Sequence, residues 1–151
     1  MQQPAGIPPD EFAAFNRFVR TLWFTLLVGV SFYWPMLGFL QISREEPPPP
    51  AALQALTLVA IGSAGAVLFL RLNRIPAVWS RLPLELAALT QLRTLYILCY
   101  VLAESVALYG MVLYLLGGPR DQAAWFFIGS VALFLLCYPR RPETPLGLPP
   151  Q

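Results

Sequence analysis

The sequence predicts an all-α integral membrane protein, and three observations carry this prediction. Apolar residue types make up 57% of the 151 residues, while only 12% are charged, about half of the roughly 25% that is usual in soluble domains. Four apolar stretches approach the length of about 20 residues that a helix needs to cross the hydrocarbon core. Within those stretches only one ionisable residue, Glu104, lies far from either end.

The four predicted transmembrane helices form a single membrane domain, and their approximate bounds are 18–40, 53–70, 95–117 and 123–138. Pro35 is expected to kink or end the first helix, because proline lacks the backbone N–H and clashes with the preceding turn. The fourth stretch is short and requires a thin bilayer or little tilt. The tails 1–9 and 139–151 are rich in proline, as is the connector between the first two helices.

The distribution of arginine predicts the orientation. With an even number of spans, both termini lie on the same side of the membrane. The side shared by the termini and the second loop would carry eight of the ten basic residues, namely Arg17, Arg20, Arg71, Arg74, Arg81, Arg93, Arg140 and Arg141. The opposite side would carry only Arg44 and Arg120. Because loops rich in arginine stay in the cytoplasm, we expect a multi-pass protein of the cell inner membrane with both termini cytoplasmic.

Composition also argues against several functions. A formal net charge of +2 is too small and too scattered to indicate nucleic-acid binding. Histidine is absent and the two cysteines, Cys99 and Cys137, lie inside apolar stretches, so neither a disulfide framework nor a zinc site is expected. Without histidine or a nucleophile motif, an enzyme is disfavoured. We therefore expect no cofactor and no metal, and the expected partners are the lipid bilayer, other membrane subunits or further copies of this chain.

Glu104 is the first candidate for a functional residue. A lone carboxylate near the centre of a bilayer costs several kcal/mol on insertion scales, and such residues usually mark ion or proton pathways. The structural alternative is a neutral glutamic acid that joins two helices through a hydrogen bond. The sequence leaves both interpretations open.

The second and third predicted helices form an antiparallel hairpin, and helical rise places certain residues at equal depth. Gly62 and Gly65 lie near the middle of one helix and Glu104 at a similar depth in the other. We therefore expect the carboxyl to lie against the segment 62–65 of its own hairpin or of a neighbouring copy, with Ser63 as a hydrogen-bonding partner. Small side chains that favour close helix packing also recur on the Glu104 helix, at Ala103, Ala107 and Gly110.

Two segments of this hairpin resemble a known family. Residues 91–95 (Gln-Leu-Arg-Thr-Leu) and 102–110 (Leu-Ala-Glu-Ser-Val-Ala-Leu-Tyr-Gly) are similar to the second helix of the c subunit, the proteolipid of rotary ATP synthases. Arg74 and Pro76 are similar to that family's polar loop. The resemblance implies that Glu104 is the ion-binding carboxylate, assisted by Ser63, Ser105 and Tyr109. A proton is favoured over sodium, because Val106 stands where a sodium site has a hydroxyl and no glutamine lies near Gly62.

The resemblance covers roughly residues 53–117, and the remainder of the chain differs from the family. Two additional spans flank the hairpin, and of the family's repeated glycine pattern only Gly62 and Gly65 remain. Two hypotheses follow from these features. The first is a c-subunit-like proteolipid in which Glu104 exchanges protons within a bioenergetic membrane complex. The second is an accessory subunit of a larger membrane complex that transports nothing itself.

Overall fold

The computed structural model describes residues 9–39, 49–80 and 86–139, and within these ranges the ordered elements are helices joined by short turns. Five α-helices are numbered in chain order: α1 Pro9–Phe39, α2 Pro50–Phe69, α3 Ile75–Trp79, α4 Leu86–Leu115 and α5 Arg120–Leu136. A π-helical turn, Leu70–Arg74, joins α2 to α3 without a break in the helical path.

Three helical segments are long and apolar enough to cross a membrane: Asp10–Phe39, Pro50–Trp79 and Leu86–Leu115. Each has 30 residues and is therefore about 45 Å long, well beyond the roughly 30 Å hydrocarbon core. Helix α5 has 17 residues, or about 25 Å. The described residues therefore form an all-helical fold, and three of its segments have the length and composition needed to span a membrane.

Two helices begin well before the predicted bounds. Helix α1 starts at Pro9 rather than residue 18, and α4 starts at Leu86 rather than residue 95. Hydropathy identifies only the apolar part of a helix, whereas the added turns carry polar side chains such as Asp10 and Thr90. Acidic residues in the first turn of α1 also suit the positive end of the helix dipole.

Pro35 lies inside α1 rather than at its end. Helix α1 continues through Pro35 as far as Phe39, so Pro35 does not end the helix, and the alternative expectation of a kink stays a prediction. Residues 1–8, 40–48 and 140–151, which include most of the tails and the proline-rich connector, lie outside the described residues.

Arg74 and Pro76 were expected in a polar loop, but both lie within the helical segment. In the π-helical turn the Ile75 N–H donates to the carbonyl of Leu70. A wider turn directly before a proline relieves the clash between the proline ring and the carbonyl of the preceding turn. The segment therefore remains helical up to Trp79, where the predicted loop would already have begun.

Helix α4 lies at the centre of the bundle and packs against α1, α2 and α5. In the part of the chain that the structure describes, the backbones of α1 and α2 do not approach each other closely. Residues of α4 are accordingly buried on several sides, and they include Leu92, Cys99, Tyr100, Ala103 and Leu113. The core of this protein is therefore organised around one helix.

A glycine turn reverses the chain between α4 and α5. Gly117 has a φ of 93°, its N–H donates to the Tyr114 carbonyl, and the Gly118 N–H donates to the Leu113 carbonyl. This pair of hydrogen bonds is the Schellman motif, which ends a helix with a left-handed residue. Pro119 follows and prevents the helix from continuing, so α5 runs antiparallel to α4.

Side-chain contacts show which residues lie at each of the two ends of the bundle. At one end, Phe12 of α1 packs edge-on against Trp79 of α3, with ring centroids 6.3 Å apart. There the Arg93 guanidinium carbon lies 3.8 Å from the centre of the Phe18 ring. We call this the arginine-rich end; its basic residues are Arg17, Arg20, Arg71, Arg74 and Arg93. At the opposite end, Arg120 lies 4.6 Å above the Trp34 ring.

Candidate functional site

The Glu104 side chain lies between α1 and α4 and is partly buried. The Tyr33 hydroxyl of α1 donates a hydrogen bond to its Oε1, with 3.1 Å between the oxygens. Tyr33 is held in turn by Phe127 of α5, whose ring centroid is 6.3 Å away. Three helices therefore position the carboxyl and its phenol partner.

Contacts with the neighbouring helix α5 show at which level of the bundle the Tyr33–Glu104 pair lies. The Ser130 hydroxyl donates to the carbonyl of Ala103, the residue before Glu104, at 2.6 Å. Ser130 lies ten residues after Arg120, where α5 begins, which corresponds to about 15 Å along the helix. Since α5 is about 25 Å long, the carboxyl lies at the level of its middle turns.

Among the described residues, no hydrogen bond is found between the carboxyl and the three other predicted ion-binding residues. Ser105 donates to the Leu102 carbonyl of its own helix at 2.8 Å. Ser63 is buried on α2 and Tyr109 is partly buried one turn further along α4. Among the described residues, the hydrogen bond that reaches Glu104 comes from Tyr33.

Gly62 and Gly65 occupy a different face of α2 from the one expected to pack on the Glu104 helix. Both are exposed, and a Cβ atom built on either one has no neighbouring atom within 4 Å. The buried residues of α2 are Ala60, Ser63 and Val67, a spacing that forms one helical face. Within a single chain the glycines therefore face away from α4, and contact with a neighbouring copy stays a prediction.

The small residues of α4 lie in the packed interior. Ala103, Ala107 and Gly110 are all buried. A Cβ atom on Gly110 would lie 2.7 Å from the Cβ of Phe126 and 3.0 Å from the carbonyl oxygen of Ala123. Helices α4 and α5 thus approach closely at Gly110, where there is no side chain to separate them.

The two residues assigned to loop contacts lie at the arginine-rich end. Arg74 and Pro76 are both exposed, and the Arg74 guanidinium lies 6.0 Å from the centre of the Phe69 ring. Neither residue lies near Glu104, which is separated from them by the length of several turns.

Tyr33 is the site residue that the sequence did not indicate. It lies in an aromatic run of α1, Phe32–Tyr33–Trp34, and it is the member of that run with a hydroxyl. The available sequence signal is that the phenol of Tyr33 and the carboxyl of Glu104 lie at similar depths in their helices. Depth alone does not show which side of α4 each of the other helices covers. Chemically, the pair joins an acid to a hydroxyl that can both donate and accept a hydrogen bond.

No group of three or more histidine, cysteine, aspartate or glutamate side chains is suitably placed for a metal ion within residues 9–39, 49–80 and 86–139. Comparison of the chain with models of known protein families, with curated proteins and with solved structures gives no match. Functional inference therefore depends on the chemistry of the chain itself.

Proposed function

We propose that this chain is a four-helix membrane proteolipid, similar to the c subunit in its central hairpin, in which Glu104 exchanges a proton within a bioenergetic membrane complex. In this proposal α5 is the fourth span, in addition to the three longer segments. The observation that carries it is the hydrogen bond from the Tyr33 hydroxyl to Glu104, at 3.1 Å, on apolar helices. An acid with a hydroxyl partner at this depth is suited to reversible protonation.

The surroundings of the carboxyl favour a proton over a sodium ion. A hard cation needs several oxygen ligands, and Tyr33 is the described side chain that brings an oxygen to Glu104. The hydroxyl of Ser105 is already bonded to a backbone carbonyl. One oxygen neighbour is enough to hold a proton but not a sodium ion.

Tyr33 can serve both protonation states of Glu104. When the carboxyl is ionised, the phenol donates its hydrogen to Oε1. When the carboxyl gains a proton, its O–H can donate to the phenol oxygen, and the phenol hydrogen turns to another acceptor. Uptake of a proton from one side and its release to the other thus require two hydroxyl groups to rotate. Apart from the proton, the site gains and loses no atom.

In this proposal the arginine-rich end faces the cytoplasm of a bacterial-type inner membrane, and so do both termini. The support is the excess of arginine at that end, which includes Arg17, Arg71 and Arg93. Ser80 is exposed there, and both native cysteines are buried. Ser80→Cys should therefore be protected from an impermeant maleimide in intact cells and be labelled after lysis; labelling from outside would reverse the orientation.

The accessory-subunit hypothesis has its own supporting observation. Tyr33 belongs to α1, a helix outside the c-like hairpin, so its hydrogen bond also ties α1 to α4. If that is its whole purpose, the carboxyl is a structural link and no proton needs to leave it.

Carbodiimide labelling and proton flux distinguish the two hypotheses. Dicyclohexylcarbodiimide reacts with protonated carboxyls in apolar surroundings, so Glu104 should be labelled selectively among the eight acidic residues, and faster at lower pH. Glu104→Gln should abolish labelling and proton flux in membranes where the variant replaces the native chain. The fold should be retained, because the amide keeps the size of the acid and a hydrogen-bonding oxygen.

Tyr33→Phe adds a second measurement with a matched control. Tyr33 is the described side chain that bonds to the Glu104 carboxyl, so removal of its hydroxyl should change the rate at which the carbodiimide labels Glu104. Tyr138→Phe, whose ring packs against Trp23 at the end of α5, should leave the rate unchanged. Proton flux that is unaffected by Glu104→Gln would refute the transport proposal and favour the accessory subunit.

A further inference from the structure

The two cysteines of the chain, far apart in sequence, meet in the interior near the end of α5. Cys99 lies on α4 and Cys137 directly follows α5, and both are free and fully buried. Tyr100, the neighbour of Cys99, stacks on Phe134, which lies about one turn before Cys137, so the two cysteines lie at the same level of the α4–α5 contact. The chain contains no other cysteine, so this pair brings together every thiol that the protein has.

A positive charge accompanies the thiols. The Arg71 side chain comes from the π-helical turn, and its Nε donates to the carbonyl of Leu136 at 3.2 Å. Leu136 is the residue before Cys137, and the guanidinium interacts electrostatically with both sulfur atoms. A pair of thiolates formed here would therefore have one cation in place to offset its charge.

Tyr100 supplies an unused hydrogen-bond donor. Its ring is fully buried and stacks on Phe134, with centroids 6.0 Å apart. Within the described residues its hydroxyl has no hydrogen-bonding partner, although it lies near both thiols and Arg71. A buried polar group without a partner costs about 1–3 kcal/mol. A neutral thiol is a weak acceptor, whereas a thiolate is a strong one, so conversion of the thiols to thiolates would provide the missing partner.

We infer that Cys99 and Cys137 form a two-thiolate site for a soft monovalent metal ion, with Cu(I) as the physiological representative of that class. Thiolates select soft ions, and a monovalent ion of this kind is stable with two sulfur ligands. Zinc sites and iron–sulfur clusters normally require four protein ligands, and two cysteines without any histidine cannot supply them. This inference does not depend on proton exchange by Glu104.

The binding step is balanced without any redox change. Two S–H bonds break, two metal–sulfur bonds form, and two protons leave for solvent. The product, two thiolates and one Cu(I), has a net charge of −1, which Arg71 offsets. Arg71 is partly exposed and lies at the arginine-rich end.

Competition with a chromogenic Cu(I) chelator tests the inference on the full chain in lipid nanodiscs. Under anaerobic, reducing conditions, the wild-type chain should withdraw one Cu(I) per chain from bicinchoninate. Cys99→Ser and Cys137→Ser should each lose this ability, because a single thiol competes weakly with a bidentate chelator. X-ray absorption of the wild-type complex should find two sulfur neighbours, a measurement that does not require any variant to fold.

The second shell provides a finer test with a control on the same helix. Tyr100→Phe removes the hydroxyl but keeps the stacked ring, and the Cu(I) affinity should fall on the order of tenfold. Tyr109→Phe should not change it. Retention of the metal by both serine variants, nitrogen or oxygen neighbours in the absorption spectrum, or a reduced wild-type chain that fails to compete would each refute the site.

Discussion

The contact between α4 and α5 and the outward face of α2 both contain glycine in apolar helices, yet the structure uses them in opposite ways. At Gly110, an added Cβ would lie 2.7 Å from the Cβ of Phe126. At Gly62 and Gly65, an added Cβ would meet nothing within 4 Å. Small residues permit close packing, but the face on which they lie decides whether any helix uses the space.

The buried serines of the two regions also differ, in whether they bond to another helix. Ser130 of α5 is fully buried and bonds across to the Ala103 carbonyl of α4 at 2.6 Å. Ser63 of α2 is also buried, but no hydrogen bond from it to another helix is found among the described residues. The α4–α5 contact is therefore held by close approach together with a polar link, whereas the α2–α4 contact depends on apolar packing.

The largest expected effect is at the glycine of the close contact. Gly110→Ala should destabilise the fold by about 1–3 kcal/mol, the usual cost of overpacking, because the Cβ of Phe126 and the Ala123 carbonyl cannot move without displacing α5. Unfolding of the chain in mixed detergent micelles, followed by tryptophan fluorescence, measures the change in the free energy of unfolding.

Gly62→Ala is the matched control for that measurement. The added methyl has open space, and alanine is the better helix former, so no loss of stability is expected. Equal destabilisation by the two substitutions would contradict the contrast between the two regions. A loss of self-association by Gly62→Ala, with unchanged stability of the single chain, would instead place a neighbouring copy on that face.

A smaller effect is expected at the serines. Ser130→Ala removes the interhelical hydrogen bond and should reduce the free energy of unfolding by about 0.5–1.5 kcal/mol. Hydrogen bonds between membrane helices contribute on average an energy near the lower of these values. Ser63→Ala should cost less in the same unfolding assay. If Ser63→Ala proved the more damaging of the two, the hydrogen-bond pattern of the α2–α4 contact would have to be revised.

The sequence was sufficient to predict the helical class and the approximate positions of three helices long and apolar enough to span a membrane, because hydropathy responds to the apolar length that each helix carries. The fourth span, 123–138, stays a prediction. The sequence placed the start of α4 at residue 95 rather than Leu86, since polar turns beyond the apolar part have no hydropathy signal. The π-helical turn Leu70–Arg74 was missed for a different reason. Arg74 and Pro76 were assigned to a polar loop because of their resemblance to the polar loop of the c-subunit family.

Some residues of the candidate sites could be identified from the sequence, and others could not. Glu104 was recognisable, because a lone acid in an apolar stretch is conspicuous in any sequence. Tyr33 was not, because helical rise gives the depth of a residue but not the direction from which another helix approaches. Cys99 and Cys137 carry no motif at all, and their meeting depends on where α5 ends relative to α4.

In the described part of the chain the backbones of α1 and α2 do not approach each other closely, and each packs against α4. If the chain inserts into a membrane as proposed, a nascent chain that has released only its first two spans lacks the helix against which both of them pack. Assembly would then begin when α4 leaves the insertion machinery. Quality control that removes unassembled helices should therefore act most strongly on chains truncated just before Leu86.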